Sequence, residues 1–262
     1  MEEKQDYRKE LFYEKKNGYD LMGKEARAEM ELYCDGYKVY LNESRTEREA
    51  VTNAIRLAEA EGFSEYKKGM ELRPGDKVWF NNRGKALMLA VVGKRPLDEG
   101  VVVAAAHVDA PRLDLKQTPL YEDSELAFFK THYYGGIKKY QWTAIPLELH
   151  GVVVTKSGEV IDVVIGREKD EPQFVISDLL PHLAADQMKK TLAEGVTGEG
   201  LNILIGSAPY DDEGKDRVKL AVMSILNSSY GITEEDFVSA ELCAVPAFDV
   251  RDIGLDRSLI GA

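Results

Sequence analysis

VVVAAAHVDAPRLDLK (Val101–Lys116) is the stretch on which the reading of this sequence turns. Its first six residues are apolar without alternation, which suits a strand buried on both faces in the middle of an α/β sheet. His107 and Asp109 follow directly, so they stand at the carboxyl end of the expected strand Val101–Ala106, where open α/β sheets keep their sites. Pro111 then withdraws a backbone donor and turns the chain. In extended chain the His107 and Asp109 side chains share a face. A carboxylate beside an imidazole accepts one ring N–H, fixes the tautomer and leaves the other nitrogen for a metal ion. The spacing equally admits a strand-end histidine that only hydrogen-bonds its neighbour, because a two-residue motif is short.

Working outward, Lys77–Asn81 and Ala86–Val92 read as strands, separated by Asn81-Asn82-Arg83-Gly84. Thr46-Glu47-Arg48-Glu49 is a capping box. The helix behind it runs through Ala50, Ala54, Leu57 and Ala58 and stops at Gly62. The first forty residues read as helix, most clearly over Lys24–Leu41. Beyond Lys116 the texture changes. Leu147–Thr155 and Val160–Ile165 flank Lys156-Ser157-Gly158 as a hairpin. Ser177–Glu194 and Arg217–Leu226 read as helices, Leu201–Ile205 as a short strand, and Glu241–Phe248 as a strand whose Pro246 marks an edge or an end. The changes near 117 and 246 point to one module inserted into another: 118–245 within a domain made of 1–117 and 246–262.

The chain has 262 residues, and 34 basic against 46 acidic side chains leave a net charge of −12. Such a surface repels phosphate backbones, so nucleic acid is not an expected partner. No stretch has the apolar length of a membrane span, and the charged start MEEKQDYRKELFYEKK lacks the apolar core of a signal peptide. Two cysteines, Cys34 and Cys243, fit buried thiols of a reducing compartment, and the expected location is cytoplasmic. Of the remaining histidines, His150 is expected to face solvent or pack at a strand start. His132 lies beside Gly135-Gly136 in a stretch that could touch substrate, and His182 follows Pro181. The acidic run Asp211-Asp212-Glu213 with Asp216 lacks EF-hand spacing and is expected to cap and solvate the helix after it.

AAAHVDAPRLDLK (104–116), together with SRTEREAV (44–51), YGGI (134–137), SDLLPHLAADQ (177–187) and GLDRSLIGA (254–262), resembles the aspartyl aminopeptidase and vacuolar aminopeptidase I family of zinc metallopeptidases. The likeness runs over essentially the whole chain in the family's order. It implies an α/β, mixed-sheet catalytic domain with two Zn2+ ions, interrupted by a β-rich domain used for dimer and higher assembly. The activity implied is removal of N-terminal residues, acidic ones preferred, from peptide substrates by a homo-oligomer. Carried over, His107 matches the first zinc-ligand histidine and Asp109 the aspartate that supports it. His182 falls in the segment that approaches a neighbouring subunit's active site, and Asp186 stands where some members have a second histidine. In the family, a bridging aspartate, a catalytic glutamate with its neighbouring acidic ligand, a further carboxylate and a last histidine follow the stretch matching GLDRSLIGA. Asp256 precedes the bridging aspartate's place and does not match it. Zinc hydrolysis needs several protein ligands and a base near the metal-bound water. These 262 residues are therefore expected to be the inactive N-terminal portion of such an enzyme. A non-catalytic self-associating or interaction module derived from the family is the alternative.

Overall fold

The computed structural model describes residues 7–262, so the part of the expected first helix that falls on 1–6 lies outside the described residues. The remainder of that stretch forms three helices: α1 (Tyr7–Leu11), α2 (Gly18–Leu21) and α3 (Lys24–Glu43). The chain divides into two compact units. The smaller comprises residues up to Asn42 and Val250–Gly261. Within it, Lys38 on α3 bridges Asp35 at 2.9 Å and Asp252 at 2.7 Å, and the Asn42 side chain accepts the Val250 amide at 2.8 Å.

The larger unit, Glu43–Asp249 with Ala262, opens with α4 (Glu47–Ala60). The capping box forms as read: the Glu49 amide donates to Thr46 Oγ1 at 3.3 Å, and Glu49 Oε2 accepts the Thr46 amide at 3.0 Å. Gly62, with φ +85°, ends the helix turn. β1 (Ser64–Glu65), β2 (Lys77–Asn82) and β3 (Ala86–Val91) form a three-stranded sheet, β1 parallel and β3 antiparallel to β2.

The expected strand Val101–Ala106 does not form. The run is exposed along its whole length and carries no ladder. A strand exists only through its neighbours, and a central strand needs one on each side and cover on both faces. Among the described residues β3 ends at Val91 and the next strand begins at Arg112 in a different sheet, so nothing flanks the run.

β4 (Arg112–Asp123), β5 (Leu126–Tyr134), β6 (Leu147–Val154), β7 (Val160–Ile165), β8 (Ile203–Gly206) and β9 (Ala240–Pro246) build a sheet of order β7-β6-β9-β4-β5-β8 with antiparallel pairings. β6 and β7 are the hairpin read from the sequence. β9 is interior, and Pro246 closes its end, where a missing donor is tolerated. The register of β4 against β5 breaks between Leu115 and Leu120, and the fully buried Pro119 sits in that irregularity. α5 (Arg217–Tyr230) buries Val218 and Leu226. The core joins Leu113, Phe129, Leu147, Leu149, Ile203 and Phe237 with these α5 residues. β10 (Arg251–Ile253) and β11 (Leu259–Gly261) pair as a hairpin in the smaller unit.

Two local expectations are corrected. Ser177–Glu194 is not a helix: it is a chain of turns with one short 3-10 segment at Gln187–Lys189. Pro181 removes a donor, and the Asp178 carboxylate takes the Leu179 amide, the Gln187 side-chain amide and the Thr143 hydroxyl, which holds the start of the segment out of helix. Leu179, Leu180, Leu183, Met188 and Leu192 are exposed, so no packed face supports helix there. The acidic run before α5 does not supply its cap either. Asp216 has left-handed φ of 56° and makes no side-chain cap bond, whereas Glu122 Oε2 on β4 accepts the Val218 and Lys219 amides at 2.8 and 2.9 Å.

Candidate metal-ligand site

His107 and Asp109 lie in the segment that leads into β4. The His107 side chain is 83% exposed, and its Nδ1 lies 2.9 Å from the Asp109 carbonyl and 3.2 Å from Asp109 Oδ1. Two oxygen acceptors at Nδ1 place the ring proton of a neutral imidazole there and leave the Nε2 lone pair outward. The Tyr134 hydroxyl donates to Asp109 Oδ2 at 2.7 Å. That bond, joined by Asp109's own amide and by His107, holds the Asp109 carboxyl below the usual range, and the same contact raises the Tyr134 hydroxyl.

Tyr134 is itself fixed from β4. Arg112 and Tyr134 are register partners, and the guanidinium lies 4.1 Å from the ring centroid. Arg112 also donates to Asp114 at 2.7 Å and meets Glu47, on the first turn of α4, at 3.2 Å. The chain of contacts is therefore Glu47, Arg112, Tyr134, Asp109, His107. It orients one imidazole with a carboxylate behind it, as a metal-ligand histidine requires.

Zinc needs more donors than this. Among the described residues no group of three His, Cys, Asp or Glu side chains is placed to hold a metal ion. The pair fits one arm of a zinc centre and not a whole one.

The family model described as Aminopeptidase I zinc metalloprotease (M18) matches residues 40–262. This chain belongs to that family. A probable M18 family aminopeptidase 1 of Clostridium acetobutylicum is 48% identical over 256 residues, covering 96% of this chain and 55% of that protein. An M18 aminopeptidase crystal structure from Thermotoga maritima superposes with a TM-score of 0.89 at 44% identity, covering 96% of this chain and 54% of that one. At 17% identity, the S. cerevisiae mApe1 dodecamer shares the fold with a TM-score of 0.62. The chain thus has the mixed α/β fold of the family and spans about half the length of the curated relatives it matches.

Within this M18 chain, the other residues singled out from the sequence stay apart from His107. His182 is exposed in the turns after Asp178, and among the described residues it makes no hydrogen bond or ion pair with His107 or Asp109. His132 is exposed on β5, stacked on Tyr133 with centroids 5.6 Å apart. His150 is packed, in the second of the two ways expected. Tyr134, Arg112 and Glu47 were not read as supporting residues. The one local signal was the YGG stretch, where Gly135 turns the chain with φ +81° just after Tyr134. Among the described residues no helix is long and apolar enough to cross a membrane.

Proposed function

We propose that this chain is the amino-terminal portion of a zinc-dependent aminopeptidase that removes N-terminal residues, acidic ones foremost, from peptides, and that the 262 residues alone are inactive. His107 contributes one imidazole nitrogen to one of two zinc ions, and Asp109, held by Tyr134 and Arg112, fixes its tautomer. When bound, the ions supply an activated water and a Lewis acid. His182 serves a neighbouring subunit's site in a homo-oligomer, 118–245 is the inserted assembly domain, and the setting is cytoplasmic.

The observation that carries this reading is the match over 40–262 at about half the relatives' length, joined to a donor set of one imidazole. The bare apolar run 101–106 and the exposed Met88, Leu89 and Val91 of β3 supply a surface for the remaining half of such a protein to cover. Zinc content by elemental analysis after gel filtration, with and without His107→Ala, tests it alongside hydrolysis of glutamyl and leucyl anilides. Substoichiometric zinc unaffected by the substitution, with no hydrolysis, is expected. One or two equivalents of zinc lost in the variant, or any turnover, would overturn the claim of inactivity.

A second reading is a non-catalytic, self-associating module. What favours it is a core cluster that closes within residues 113–244 and draws on nothing from the His107 segment. The genomic sequence after the Ala262 codon separates the two: a continuing frame rich in Asp and Glu supports the first, a stop codon the second.

A further inference from the structure

His150 sits on β6 with 1% of its surface exposed, and both of its nitrogens face carboxylates. Nδ1 is hydrogen-bonded to Glu49 Oε1 on α4 at 2.7 Å, while Nε2 stands 3.1 Å from Glu148 Oε1, two residues back on its own strand face, at ion-pair distance but without hydrogen-bond geometry. Glu148 is buried too, 3.3 Å from Arg45 Nε and 3.9 Å from Arg167 Nη1. The second Glu49 oxygen accepts the Arg45 and Thr46 amides at 2.8 and 3.0 Å. Gly151, next on β6, has φ +141°, and a Cβ there would collide with the Glu241 carbonyl, so the strand is pressed against β9 beside the imidazole. A cavity of about 430 Å3 opens alongside, lined by His150, Thr46, Arg48, Asn53, Asp162 and Arg167.

A neutral imidazole has one N–H and can satisfy one carboxylate, while its other nitrogen turns a lone pair on the second. Only the imidazolium donates to both. We propose that His150 is a proton-operated latch: doubly protonated, it holds Glu49 on the first turn of α4 and Glu148 on β6 at once, and when the ring loses a proton only one of the two carboxylates keeps a donor.

The charged groups around the ring agree with that assignment. From α4 and the turn before it come Glu49 and Arg45; from β6, Glu148. Beyond β7 stand Arg167 and Glu171, whose carboxylate accepts three amides at 3.0 Å, with Asp162 exposed on β7 itself. From β9, the register partner of His150 is Cys243, its buried thiol pushed up to about 12 and therefore neutral, and Glu241 is engaged by Arg48 and Lys85. Burial works against a charged ring, and Glu148 and Glu49 outweigh it, so the imidazole is raised above its ordinary 6.5. A group raised on folding stabilises fully below the unfolded value and loses that contribution as pH climbs through the folded one. The latch therefore loosens on the alkaline side. Glu47 on the same α4 turn meets Arg112, so the turn the latch holds is the one that reaches the His107 support chain.

The test needs no enzymatic activity. Ring 15N spectra of the 262-residue chain, with the His150 signals identified by their loss in His150→Gln, are recorded from pH 5.5 to 9.5. Both His150 nitrogens are expected to stay protonated above the ordinary 6.5, and the thermal midpoint should fall across the ring's titration in the wild type but stay level in His150→Gln. A ring already singly protonated at pH 6, or a wild-type midpoint no more sensitive to pH than the variant's, would overturn the latch. Should His150→Gln fail to fold, Glu148→Gln serves instead: it should lower the His150 titration, and an unmoved titration would refute the proposal.

Discussion

Glu122→Ala removes the cap of α5 from a residue 96 positions away in sequence. The carboxylate accepts the Val218 and Lys219 amides at 2.8 and 2.9 Å, two of the donors that a helix start leaves without an intrahelical partner. Loss of a side-chain cap costs about 1 kcal/mol, and loss of a partly buried negative charge at the positive end of the helix adds up to about 1 more. The sum, about 2 kcal/mol, corresponds to a fall of about 4–8 °C in thermal midpoint for a unit of this size. Circular dichroism against temperature measures it, after reversibility has been checked. Glu122→Gln keeps one acceptor oxygen and should lose about half as much. Asp216→Asn is the control: Asn tolerates the left-handed backbone at φ 56°, and with no cap bond to lose the change should cost only an exposed charge's share of the helix dipole, about 0.3–1 kcal/mol. If Asp216→Asn destabilises as much as Glu122→Ala, or if Glu122→Ala is neutral, the reasoning that a strand residue caps this helix fails.

Two further expectations follow from the same geometry. Val102→Lys with Val103→Lys should reduce self-association in light scattering without lowering the thermal midpoint, because both side chains are exposed and support nothing; a lower midpoint would show that the run is packed. Asp236 accepts the Thr233 hydroxyl at 2.7 Å, the Thr233 amide at 2.8 Å and the Lys156 amide at 3.0 Å, and the Thr233 contacts hold its carboxyl below the ordinary 3.8. A depressed carboxyl stabilises above its unfolded value and loses that contribution as pH falls through the folded one, so stability should drop below about pH 4 and drop less steeply in Asp236→Asn; equal acid slopes would refute it.

How much of this molecule was legible in its sequence depends on how far away each residue's partner stands. The α4 cap and the β6–β7 hairpin were legible because their determinants are local: Thr46 and Glu49 are three residues apart, and Gly158 turns the hairpin at φ +86°. The apolar runs at 101–106 and 177–194 were misread because apolarity reports a need for cover, not its presence. The first is exposed throughout and the large apolar side chains of the second are exposed, and neither becomes a strand or helix without a surface to pack on. β4 went unassigned because Asp114, Lys116, Glu122 and Asp123 break its apolar pattern, and it is ladder pairing with β5 that holds it.

The site shows the same division more sharply. His107 and Asp109 advertise themselves two residues apart, but Tyr134, which fixes Asp109, lies 25 positions on, and nothing in its own neighbourhood names that partner. Glu49 carries the point furthest. As a capping-box glutamate it is fully explained by one of its oxygens, and a motif reading stops there. The other oxygen reaches His150, 101 positions away, so the carboxylate that starts a helix also anchors it to the sheet. A substitution chosen from the motif alone, Glu49→Gln, would preserve the cap and weaken the anchor. That separation makes it the variant in which helix start and helix docking can be told apart.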